Sequence, residues 1–300
     1  MNTLPANDAL ISKPARKRWL TPARVSRGLR MAFFYALLIP IILFCVAPIF
    51  WILKTAFETS QFMFSQQIHW IPVQATLKNF TAVIGNPRAM IGRSFLNSFV
   101  VASVSTIFTT IITVLAGYAL SRFNFRGKKF FAIYLLMINM VPATLILISM
   151  FISLIKIGLV NTHLGLIIYY TAIGLPLAVW MLKSYFDTIP LDLEEQAMVD
   201  GATRLEAIRY VILPLALPGI VAVTVYVFLG HWNEFMAAIT FIQTQALRTL
   251  PAQIINFVGI EHIDWGPVMA YSVLVSLPPV ILFIFAQKQF VGGLTSGFTK

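Results

Sequence analysis

Charged side chains are scarce in this sequence. Only 11 % of its 300 residues are Asp, Glu, Lys or Arg, while 58 % are hydrophobic and mean hydropathy is +0.82. Soluble domains carry roughly 25 % charged residues. A soluble chain of this length could not hide so much apolar surface, so a globular enzyme is excluded. Cysteine is nearly absent. Cys45 stands alone inside an apolar run, cannot form an internal disulfide, and says nothing of the redox compartment. It reads as a small packing residue. The histidines His69, His163, His231 and His262 are scattered without metal-ligand spacing and read as turn or interface residues. No G-x-x-x-x-G-K-[ST] phosphate loop occurs, so the chain itself is not expected to bind ATP. Neither a G-x-S-x-G elbow nor an H-E-x-x-H pair is found, which removes the usual intramembrane hydrolases. No cofactor or metal is expected on this chain.

What the sequence does contain is long uncharged runs. A bilayer takes about 20 apolar residues to cross, and six stretches reach that length. The first is Met31 to Leu53, closed by Lys54; the second lies between Arg93 and Arg122, and the third between Lys129 and Lys156. The fourth falls between Lys156 and Lys183, with Asn161, Thr162 and His163 in the turn before it. The fifth follows Arg209 and reaches Glu234, and the sixth lies between Asp264 and Lys288. Each must be helical, because lipid offers no partner to backbone amides. The first run is too long for a signal-peptide h-region and lacks a small-x-small cleavage site. The expected fold class is an all-α membrane protein of six transmembrane helices.

The charges that remain are unevenly placed. Net charge is +11, and seven basic residues fall in the first 30 positions: Lys13, Arg16, Lys17, Arg18, Arg24, Arg27 and Arg30. Such a cluster before the first span holds a membrane protein's start in the cytoplasm and needs no nucleic acid to explain it. With the N-terminus inside, the inner segments hold 16 Lys and Arg and the outer ones 6, namely Lys54, Lys78, Arg88, Arg93, Lys156 and Arg248. The bias predicts both termini in the cytoplasm, with Arg122, Arg126, Lys128 and Lys129 as a compact inner anchor. Residues 1–30 read as a basic cytoplasmic tail and 31–300 as a transmembrane domain.

One inner segment is unlike the rest. "EEQAMVDGATRLEAIRYVILPLALPGI" runs from Glu194 to Ile220. Pro190 can start a helix, Leu191 to Val199 favours one, and Asp200-Gly201 is a stop in which glycine can turn left-handed. Thr203 and Glu206 form a T-x-x-E capping box for a second helix, with Leu205, Ile208 and Ile212 as its apolar face. Pro214 and Pro218 mark the entry to the fifth span. A merely solvated connection has no need of two capped helices and a glycine corner; a knob that docks into another protein has.

This stretch resembles the cytoplasmic EAA loop of permease subunits of binding-protein-dependent ABC importers. The pattern reads here as Glu195-Gln196-Ala197, Gly201 and Ile212-Leu213-Pro214, with Gln196 replacing the middle alanine. "AGYALSRFNFRGKK" (Ala116–Lys129), "GLVNTHLGLII" (Gly158–Ile168), "HWNEF" (His231–Phe235), "DWGPVMA" (Asp264–Ala270) and "QKQFVGGLTSGFTK" (Gln287–Lys300) are similar to the carbohydrate-uptake branch, in particular to the smaller, six-span permease of the maltose type. So is "IHWIPVQATLKNF" (Ile68–Phe80), which pairs W-x-P with L-x-N-F.

The resemblance implies half of a translocation path for a sugar or oligosaccharide in a bacterial inner membrane. It implies a second permease subunit, two ATP-binding subunits and a soluble solute-binding protein as partners, alongside membrane lipid. The loop between spans four and five would couple to the ATPase through Glu194, Glu195, Ala197, Asp200, Gly201 and Ala202. In maltose-type relatives the loop corresponding to Gln243–Trp265 reaches toward the binding protein; by itself the segment also reads as a cap on the bundle. Gly230 to Glu234 should interrupt the fifth span. Asn233 and Glu234 there could line the sugar path, cap a helix or touch the partner permease. Other solutes remain open, such as glycerol phosphate, a polyamine or an opine. A secondary carrier is the rival from another class, with Glu234 as the one acid within its spans.

Overall fold

The computed structural model describes residues 22–258 and 263–295, and among them all regular structure is helical apart from two isolated antiparallel bridges, Glu58 with Ala75 and Val258 with Ile263. In chain order the helices are α1 (Pro22–Ala56), α2 (Ser60–Met63), α3 (Lys78–Ile84), α4 (Ile91–Arg122), α5 (Lys128–Ile138), α6 (Ala143–Lys156), α7 (His163–Phe186), α8 (Asp192–Val199), α9 (Arg204–Ala207), α10 (Leu213–Asn233), α11 (Met236–Phe241) and α12 (Trp265–Thr295). The described residues up to Trp51 form one unit and those from Ile52 onward another. Residues 1–21 of the expected basic tail and 296–300 lie outside the described residues. Arg24, Arg27 and Arg30 belong to α1, whose helix starts earlier than the apolar run.

Among the described residues five helices are long and apolar enough to span a membrane: Phe33–Ala56, Ile91–Arg122, His163–Phe186, Arg204–Asn233 and Trp265–Gln287. The expected third span is not one rod. It is α5 and α6, bent by 96° at Asn139 to Pro142. Pro142 explains the break, since it can donate no helix hydrogen bond and pushes Val141 out of the helical region. Counting that pair as one span gives six.

In lipid, helices gain little from burying apolar surface and associate by close packing and shared hydrogen bonds. Both devices are present in the second unit. Where α4 crosses α7, a β-carbon on Gly117 would sit 3.2 Å from the Lys183 amide nitrogen. Where α10 crosses α7, Gly219 meets the ring of Tyr185.

A polar stripe of Ser94, Ser98, Ser105, Thr106, Thr109 and Thr113 is buried on one face of α4. It reaches neighbours along its length. Ser105 Oγ lies 2.9 Å from His231 Nδ1, and Thr110 Oγ1 lies 3.2 Å from Thr224 Oγ1. Ser98 Oγ accepts from the Leu250 amide at 2.6 Å, and Ser94 Oγ accepts from Gln253 Nε2 at 3.0 Å. His231 is thus a buried link between spans, stacked on Tyr170, rather than a turn residue.

At the end of the bundle away from α8, the loop after α11 folds back on the helices. Short 3-10 turns at Gln245–Leu247 and Pro251–Phe257 bury Leu250, Ala252 and Gln253. Asn97 donates to Ala246 and Arg248 oxygens, and Asn161 Oδ1 accepts from the Gln243 and Thr244 amides. The described part of this loop caps the bundle. On the same unit Asn79, the asparagine of L-x-N-F, donates to the Ala56 and Glu58 carbonyls at 3.0 and 2.8 Å. It also packs on Gly266 at the start of α12. Lys54, counted above among the outer charges, is buried in an ion pair with Glu58.

Candidate functional site

The two helices read from the sequence between the fourth and fifth spans are present, and the corner between them is tight. Asp192, Glu194 and Glu195 occupy the first turn of α8, where negative charge complements the helix dipole. The helix ends in a Schellman turn: the Ala202 amide donates to the Ala197 oxygen at 3.0 Å and the Gly201 amide to the Met198 oxygen at 3.1 Å. That turn requires a left-handed residue after the cap, and Gly201 has φ +97°. No atom lies within 4 Å of where its β-carbon would be. Glycine is required here by backbone conformation and not by lack of room.

Thr203 then caps α9 reciprocally with Glu206. The Glu206 side chain accepts from the Thr203 amide at 2.8 Å, and Thr203 Oγ1 accepts from the Glu206 amide at 3.4 Å. From this cap α9 continues through a π-helical turn, Ile208–Ile212, into α10. The corner is therefore built directly onto a span. Of its expected apolar face only Ile212 is fully buried; Leu205 is 74 % exposed. Val199 is 87 % exposed, so the outward surface of the corner is apolar as well as acidic.

The expected coupling residues separate into two sets. Glu195, Asp200 and Gly201 are exposed, with Ala197 and Ala202 half-buried beside them. Glu194 is turned the other way and is buried, contrary to the expectation that it faces outward with Glu195. Its Oε1 accepts from the Tyr118 hydroxyl at 2.5 Å, and its Oε2 lies 3.4 Å from Arg122 Nε. Period 3.6 explains the split, because adjacent helix positions point about 100° apart. Arg122 also donates from Nη2 to the Ile189 oxygen at 3.0 Å, and Ser121 donates to Asp187 at 2.7 Å.

The second expected site is the break after α10. The helix runs through Gly230 to Asn233, and the interruption falls at Glu234 and Phe235, not across Gly230–Glu234. Asn233 is exposed and donates to the Leu229 oxygen at 2.9 Å. Glu234 caps α11: its Oε1 accepts from the Ala237 amide at 2.9 Å and its Oε2 from the Ala238 amide at 3.2 Å. Tyr170 donates to the same carboxylate at 3.0 Å. Of the three roles left open, capping is the one this geometry has. An apolar cavity of about 590 Å³ between α4, α10 and α12 is lined by Phe95, Phe228, Trp232 and Leu277 among others; the Trp232 indole N–H there already donates to the Val275 oxygen at 3.2 Å. Among the described residues no three His, Cys, Asp or Glu side chains gather as a metal site.

Comparison with known proteins bears on this arrangement. Residues 110–292 match the family model described as the binding-protein-dependent transport system inner membrane component. The chain belongs to that family. It is thus a multi-pass inner-membrane permease component and not an enzyme. The rival reading as a self-sufficient secondary carrier falls away.

Among its relatives, the trehalose/maltose transport system permease protein of Thermococcus litoralis is 38 % identical, over 85 % of this chain and 92 % of that protein. The galactooligosaccharides transport system permease protein of Bacillus subtilis is 30 % identical, over 94 % of this chain and 99 % of that one. A solved bacterial ABC transporter that imports the acidic polysaccharide alginate has a chain of the same fold. Its TM-score is 0.72 at 21 % identity, covering 88 % of this permease and 98 % of that chain. The matched family segment contains the corner at Gly201, the Tyr118–Glu194 contact and the break at Glu234.

Proposed function

We propose that this permease forms half of the translocation path of an ATP-driven importer for a sugar or oligosaccharide. Its relatives named above carry trehalose/maltose and galactooligosaccharides in their names. A second permease subunit completes the path, two ATP-binding subunits dock beneath, and a solute-binding protein delivers the sugar from the other side. The corner formed by Glu195, Ala197, Asp200, Gly201 and Ala202 enters a cleft of the ATPase. The observation that carries this reading is the exposed, glycine-bent corner joined without interruption to a span. A displaced corner would carry α10 with it. Both termini lie in the cytoplasm of a bacterial cell, ATP is held by the partner subunit alone, and residues 31–300 form the transmembrane domain. Asn233, exposed at the break after α10, faces the path, while Glu234 holds α11 in place beside it.

The test is reconstitution of the co-purified complex in liposomes with maltose and trehalose as probes. Uptake of either that requires both ATP and the solute-binding protein is expected. Uptake by this chain without an ATP-binding subunit would overturn the reading.

A further inference from the structure

The buried face of α8 is as specific as its exposed one. Tyr118 and Arg122 lie four residues apart on the last turns of α4 and converge on one carboxylate, Glu194. The side chains of Arg122 and Glu194 are each 4 % exposed. The Nε of Arg122 and the Oε2 of Glu194 have no hydrogen-bond partner of their own, so each depends on the other for compensation. Tyr118 is held in turn by edge-to-face contact with Phe186 at 5.9 Å and Phe123 at 6.1 Å. Arg204, from the far side of the corner, lies over Phe123 at 5.3 Å. Two charges taken out of water where the end of a span meets α8 need a reason, since apolar residues would pack such a contact at lower cost. What an ion pair supplies and apolar packing does not is a fixed register between the two elements.

We propose that the Tyr118–Glu194–Arg122 cluster is a positioning lock. It fixes α8 rigidly to the end of α4, so that a displacement of the corner moves α4 as well as the directly connected α10. Through α4's buried Ser105 and Thr106 against His231, and its half-buried Thr110 against Thr224, the same displacement reaches the middle of the bundle. The corner thereby drives two spans, one by covalent continuity and one by the lock. The inference rests on the docking role proposed above and adds which spans that docking moves.

The experiment uses the assembled complex in liposomes, with nitroxide labels on Gln196 and Asn124. Both positions are exposed, one on α8 and one just past α4. Pulsed EPR should show one narrow label-to-label distance, the same with and without ATP. Glu194→Gln, which leaves Arg122 uncompensated, should broaden that distance. It should also reduce the stimulation of ATP hydrolysis by the solute-binding protein by more than about tenfold. The double variant Arg122→Met with Glu194→Met removes both charges and should be less impaired than Glu194→Gln alone.

Should Glu194→Gln not assemble, Tyr118→Phe deletes a single hydroxyl and keeps the ring packing; a partial broadening and a smaller loss of stimulation are expected. A distance that stays narrow with full stimulation in whichever of these single variants assembles overturns the lock. Failure of the docking role itself is read separately, in the unsubstituted protein. There, a cysteine at Ala202 that never cross-links to the ATPase during active transport removes the premise, and the lock with it.

Discussion

A β-carbon on Gly219 would lie 2.4 Å from Cγ of Tyr185. Non-bonded carbon atoms do not sit so close, so α10 approaches α7 at this point only because the residue is glycine. Tyr185 packs against the buried cluster that includes Leu182, Ile212 and Ala216, and its ring cannot swing aside without loosening that packing. Overpacking of this kind costs about 1–3 kcal/mol. Gly219→Ala should lower the thermal midpoint of the detergent-solubilised protein, and Tyr185→Ala in the same chain should restore much of it. Additive losses in the double variant would show that the two residues do not share the contact.

Asn79 is expected to be more sensitive to charge than to truncation. Its amide donates to the Ala56 and Glu58 carbonyls, and losing a buried donor leaves acceptors that cost about 1–3 kcal/mol. Asn79→Ala should therefore destabilise by that amount. Asn79→Asp also removes the donors and adds a negative charge beside buried Glu58 and the two carbonyl oxygens, so it should be the worse of the two. The order of their thermal midpoints decides the point; Asp milder than Ala contradicts it.

The helix-turn-helix was legible because its signals are local. The glycine after Asp200 and the T-x-x-E box each act within a few residues and are in the place expected, while Pro190 falls one residue before the cap Leu191 and α8 starts at Asp192. Pro142 is an equally local signal for the bend in the third span, but a run of apolar residues masks it when only length is counted. Glu194 was not legible in the same way. Its neighbour Glu195 has the same chemistry, and which of the two faces inward is decided by where Tyr118 and Arg122 stand, some 70 positions away in the chain. Glu234 likewise reads from sequence as capping, path-lining or interfacial; that α11 starts two residues beyond it, at Met236, makes it the cap. The link between Ser105 and His231 joins residues that no spacing rule connects.

Topology follows from the distribution of Lys and Arg. A reporter fused after Lys300 should be active in the cytoplasm, and one inserted near Gln74 should show the opposite location. Both on one side would contradict the proposed orientation.

Gly201→Asp should separate folding from transport. The position is open, with nothing within 4 Å, so the folded chain loses only what a left-handed side chain costs, about 1 kcal/mol or more. Insertion in the membrane should persist. Transport should be lost, because an added carboxylate holds the corner away from the ATPase surface. Transport at the normal rate would mean that the corner's surface is not in contact with a partner.

The docking of the corner is tested most directly by proximity in the working complex. Cys45 is first replaced by serine, and single cysteines are placed at Ala197 and Ala202, both half-buried beside the exposed Gly201 turn. Bifunctional cross-linking is then followed with and without ATP while uptake is measured on the same sample. Cross-links from both positions to the ATP-binding subunit, changing in yield with nucleotide, are the predicted result. Full ATP-driven uptake with neither cysteine ever reaching that subunit would show that the segment is only a connecting loop.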